Sequence, residues 1–110
     1  MNTKRDHLVN HIKNLDNKEL VYNTACLHVT EGNQFEAVYK EMMAFVERTT
    51  IENGCIEFFI VPGDIEQKEI FLWEVWENKA AFDNHMTEEH TATFLGKGLI
   101  ELQWHKLAIA

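Results

Sequence analysis

The chain has 110 residues, 45% of them apolar and 25% charged, with 10 Lys+Arg against 18 Asp+Glu for a net charge of −8. Such a length and make-up suit one folded domain with a modest core. The acidic balance, with no stripe of Lys and Arg, argues against nucleic acid and anionic membrane surfaces as partners. No apolar run approaches the roughly 20 residues that span a bilayer. The opening residues lack the continuous apolar stretch of a secretory leader, so a cytoplasmic chain with Cys26 and Cys55 reduced is expected.

In chain order, Leu8, Val9, Ile12 and Leu15 mark one face of a short helix over Lys4 to Asn14, within an N-terminal extension of residues 1–18. Such a helix is marginal alone and must dock on something. Glu19 to Val29 is rich in β-formers and reads as a strand. Val21, Asn23, Ala25, Leu27 and Val29 share one face; Tyr22, Thr24, Cys26 and His28 share the other. Asn33 is a candidate N-cap for a helix from Gln34 to about Ile51, where Phe35, Val38, Met42, Phe45, Val46 and Thr49 recur at helical spacing. Its methionines read as core filler.

Asn53-Gly54 is a stop signal for that helix. "CIEFFIV" and "KEIFLWEVWE", joined through Pro62-Gly63, read as an antiparallel hairpin. Ile56, Phe58 and Ile60 are expected on one face of the first strand, with Cys55, Phe59 and Val61 on the other. In the second strand Ile70, Leu72, Glu74 and Trp76 oppose Phe71, Trp73 and Val75. Asn78 is a candidate cap for a short helix that carries His85. A second helical stretch over Glu88 to Glu101 carries His90, and "LQWHKLAIA" closes the chain as a strand.

The order β-α-β-β-α-β over residues 19–110 predicts an α+β domain of ferredoxin-like type, an antiparallel sheet with helices on one face. The first and third strands are then central and the second is an edge, which keeps Cys26 and Cys55 on strands that do not pair. Helices cover only one face of such a sheet, yet both faces here carry large apolar side chains. A second copy packed sheet to sheet is the economical cover, so a homodimer is expected.

If the His85 helix folds back over its strand, Glu74, Trp76, His85 and His90 converge between sheet and helix. The run "FLWEVWENKAAFDNHMTEEH" carries Glu74-x-Trp76, a charged turn, Ala80-Ala81, Phe82, His85 and, five residues on, His90. This resembles the signature of the antibiotic biosynthesis monooxygenase family. "ENGCIEFFI" and "LHVTEGNQFEAV" are similar to two further stretches of that family, and the likeness runs from about Leu20 to Ala108. The resemblance implies a dimeric α+β barrel with a pocket in each protomer. It also implies a monooxygenase that acts on a quinol or similar electron-rich aromatic with O2, without metal or other cofactor. Its base would be His85 or His90, with Trp76, Glu74, Asn23 and Phe82 binding the substrate. The heme-degrading members use a His where Leu95 falls and an Asn where Ala25 falls, so heme degradation is not implied. A non-catalytic small-molecule binder and an isomerase using the same pocket are the alternatives. No cysteine cluster supports a metal site.

Overall fold

The computed structural model of the protein describes Asp6 and residues 19–109; apart from Asp6, the helix expected over Lys4–Asn14 lies outside them. Four strands, β1 (Val21–Val29), β2 (Cys55–Pro62), β3 (Glu69–Trp76) and β4 (Ile100–Ile109), form one antiparallel sheet in the order β2-β3-β1-β4. The helices are α1 (Phe35–Thr50), α2 (Lys79–Thr87) and α3 (Glu89–Gly96). β1 and β3 are central and β2 is an edge, as the element order predicts. Cys26 on β1 and Cys55 on β2 are both buried, with β3 between their strands. No helix among the described residues is long and apolar enough to cross a membrane.

The core lies between the sheet and α1. Val38, Met42, Phe45, Val46 and Thr49 of α1 are buried, as the spacing requires, against Val21, Ala25, Leu27, Phe58, Ile60, Ile70, Leu72 and Trp76. Asn78 caps α2 through its side-chain oxygen, which accepts from the Ala81 N–H at 2.8 Å. Asn33 does not cap α1: Gln34 holds that position, and the Asn33 amide donates to Thr30 Oγ1 at 2.8 Å instead. α1 ends at Thr50, and Gly54 then turns the chain into β2 with φ +88°. A Cβ at Gly54 would lie 2.5 Å from the Ala81 Cβ, so both the backbone and the close approach of α2 require glycine. The second helical stretch is shorter than its sequence pattern: α3 stops at Gly96, and a turn through Gly98 (φ +65°) leads into β4 at Ile100.

Two bulges reset which side chains point where. In β2 the register shifts between Cys55 and Glu57, so Cys55 pairs with Trp76 and Glu57 with Val75. Cys55 thereby joins the core, while Ile56 packs on the other face with Leu20, Tyr22 and Val75. This reverses the assignment that strict alternation predicts for these two residues. In β4 the shift passes over Gln103: Leu27 pairs with Leu102, and Cys26 with Trp104. Leu102 and His105 therefore stand on the helix-covered face, and Trp104 on the open one. That open face is apolar, with Phe59 (38% exposed), Val61 (39%), Trp73 (47%) and Trp104 (48%) upon it. Phe71 and Trp104 are in ring contact at 6.3 Å.

Candidate active site

Antiparallel pairing of β1 with β3 sets Asn23 directly opposite Glu74 on the covered face. The Glu74 carboxylate is buried, and each of its oxygens has a donor. Trp76 Nε1–H donates to Oε1 at 2.7 Å, and Asn23 Nδ2–H to Oε2 at 2.9 Å. A buried carboxylate without such partners would cost several kcal/mol; here two strand neighbours supply them. The Asn23 Oδ1 lies 3.4 Å from His105 Nδ1 on β4, which extends the polar row across three strands.

α2 packs back over β3 and lays the His85 ring on the Trp76 indole, with centroids 4.7 Å apart and planes at 30°. Phe58 and Phe45 flank the imidazole at 5.4 and 6.0 Å. His85 Nδ1 faces Glu52 Oε2 at 2.8 Å, and both side chains are more than nine-tenths buried. Glu52 stands in the turn after α1. His90, on α3, brings Nε2 to 2.9 Å from the same Glu52 oxygen. Two hydroxyls attend the pair: Thr91 Oγ1 is 3.4 Å from His85 Nδ1, and Thr49 Oγ1 is 3.4 Å from His90 Nε2. Glu52 Oε1 is buried and has no hydrogen-bond partner among the described residues.

Between this layer and the sheet lies a cavity of about 250 Å³. Its walls are mainly apolar, from Ala25, Leu27, Met42, Phe45, Phe58 and Phe94, and Asn23, Glu74, His85 and His105 supply polar atoms. The proportion of apolar wall to a few convergent polar groups is that of a small-molecule site.

Of the residues singled out from sequence, Asn23, Glu74, Phe82 and His85 line this cavity. Trp76 is fully buried and does not; it backs the wall, stacked on His85 and spending its N–H on Glu74. His90 also lies off the cavity and lines a separate depression between α1 and α3 with Arg48 and Lys97. It joins the site through Glu52. Sequence reading passed over Glu52 and gave His105 no place in the cavity. A faint signal for Glu52 existed: an acid just past a helix C-terminus opposes the helix dipole and calls for a local cationic or N–H partner. Met42, read as core filler, is both core and cavity wall.

The model of the family described as antibiotic biosynthesis monooxygenase matches residues 21–97. The chain belongs to the antibiotic biosynthesis monooxygenase family. It is 36% identical over 83 residues to the YjcS protein of Bacillus subtilis (strain 168), covering 76% of this chain and 79% of that one. The solved structure of YjcS superposes with a TM-score of 0.77 at 33% identity, over 83% of this chain and 98% of the other. A candidate antibiotic biosynthesis monooxygenase of Deinococcus radiodurans matches with a TM-score of 0.70 at 16% identity, over 82% and 91% of the two chains. At that identity the likeness shows the fold alone. Family membership agrees with the resemblance carried by Glu74, Trp76, His85 and His90, and it suggests monooxygenase-type chemistry.

Proposed function

We propose that this protein is a cofactor-independent monooxygenase that oxidises a quinol or a similar electron-rich aromatic with O2, working as a homodimer. The observation that carries the reading is the mainly apolar cavity into which a carboxylate-backed imidazole, His85, and a donor-saturated carboxylate, Glu74, both face. The dimer rests on the apolar open face of the sheet, which a second copy would cover.

The aromatic ring occupies the space between Leu27, Met42, Phe58 and Phe94. With Glu52 accepting from Nδ1–H, the imidazole of His85 keeps its lone pair on Nε2 and acts as base toward a phenolic O–H. Glu52 then steadies the imidazolium that forms. The resulting aromatic anion is electron-rich enough to pass an electron to O2. Recombination at a ring carbon forms the new C–O bond, and cleavage of the O–O bond releases the second oxygen atom as water. For a hydroquinone the balance is quinol plus O2 giving hydroxyquinone plus water, with all four electrons drawn from the substrate. Trp76 and His90 act as positioning residues: Trp76 holds Glu74 and the His85 ring, and His90 holds Glu52. The dry walls strengthen each polar contact and protect the anion.

The test is oxygen uptake with a panel of hydroquinones and anthrone-like phenols. Wild-type protein should turn over at least one of them, and His85→Asn should lower kcat by about 10²- to 10⁴-fold with little change in KM. Conversion that proceeds equally under nitrogen would make the protein an isomerase instead. Binding of the aromatics without any turnover would make it a non-catalytic carrier.

A further inference from the structure

Glu52, His85 and His90 belong to three different elements, yet one ligating atom from each lies within 4.8 Å of the others. Both imidazole nitrogens address the same carboxylate oxygen, at 2.8 and 2.9 Å. The other oxygen, Oε1, is buried with no partner among the described residues. As a hydrogen-bonding arrangement this is poorly distributed, because two donors crowd one oxygen and leave its twin desolvated for nothing. As a coordination sphere it is sensible. Two imidazole nitrogens and a carboxylate are the ligand set of an open, three-protein-ligand Zn2+ site. Metal–donor bonds of about 2.0–2.2 Å in tetrahedral array set donors roughly 3.3 Å apart. The Glu52 oxygen, at 2.8 and 2.9 Å from the two nitrogens, is within about 0.5 Å of that spacing, and the nitrogens themselves lie no more than 4.8 Å apart, so the adjustment is within reach of side-chain torsions. Oε1 is then free to ligate or to bind a metal-held water, and Thr49 and Thr91 stand where hydroxyls fix ligand orientation.

We propose that Glu52, His85 and His90 form a binding site for a divalent transition-metal ion of the Zn2+ class. The ion would sit on the Nδ1 side of His85, away from any substrate, and tie the end of α1 to α2 and α3. Its effect on the cavity rests on the oxygenase reading above. A neutral imidazole bound through Nδ1 carries its proton on Nε2, so the metal-loaded His85 is a donor rather than a base. The site would therefore hold the enzyme in a resting form that metal removal reverses.

The experiment uses the full chain with His7→Ala and His11→Ala, which removes the other pair of imidazoles close in sequence. Protein freed of metal by a chelator is titrated with Zn2+ by calorimetry and with Co2+ by visible absorption. The proposal expects one ion per chain, Co2+ bands of four- or five-coordinate type, and a Tm raised by about 5 °C or more at saturation. Glu52→Gln, which is isosteric, and His90→Asn, which lies at the rim, should each weaken Zn2+ at least about 100-fold while keeping a folded circular-dichroism spectrum. Binding that is absent, or that neither variant weakens, would overturn the proposal and leave the cluster a purely hydrogen-bonded one. Neither outcome depends on whether a quinol is ever turned over.

Discussion

Trp104 offers the sharpest test of the proposed dimer. It lies on the edge strand β4, on the open face, 48% exposed, so replacing it disturbs the protomer little. A Trp side chain buries roughly 150–250 Å² when fully covered, so covering the exposed half removes about 100 Å² from water. At about 25 cal/mol per Å² that contributes about 2.5 kcal/mol per copy. In a twofold pair the residue occurs twice, giving about 5 kcal/mol, or 10³- to 10⁴-fold in the dimer dissociation constant. Trp104→Lys loses this area and places two like charges across the seam, beside Lys106 on the same face. Sedimentation velocity at micromolar concentration should show wild type at twice the chain mass and the variant as a folded monomer. A wild-type monomer at that concentration, or a variant dimer of unchanged affinity, would refute the argument from the two-sided sheet.

Burial, and after it the carboxylate of Glu69, push the Cys26 thiol above its ordinary value of 9.0. Folding therefore favours the protonated thiol: its contribution is full below pH 9.0 and is lost as pH rises through the higher folded value. The urea midpoint of wild type should fall between about pH 8 and about pH 10 by more than that of Cys26→Ala; equal falls would count against the assignment. Saturating Zn2+ should suppress quinol-dependent oxygen uptake by wild type and spare His90→Asn. Undiminished turnover in metal-loaded wild type would remove His85 from the role of base.

Local pattern decides what depends on local geometry. The alternation in β1 and β3 put Asn23, Glu74 and Trp76 on one face, and the pairing of these strands brought them within hydrogen-bond distance. The spacing in α1 marked the residues that bury against the sheet, and Asn78 announced the start of α2. The element order predicted β1 and β3 at the centre of the sheet. Apolar side chains on both sheet faces were legible too, because a period of two is intrinsic to an extended chain.

Only tertiary structure decided the rest. The bulges at Ile56 and Gln103 exist because pairing between strands absorbs an extra residue, and no periodicity within one strand reports that. One of them turned His105 toward the cavity and Trp104 away from it. Glu52 meets His85 across 33 positions and meets His90 as well, because α2 and α3 fold back against the end of α1. Burial forces such polar groups to find one another, and it is three-dimensional packing, not sequence spacing, that selects the partner.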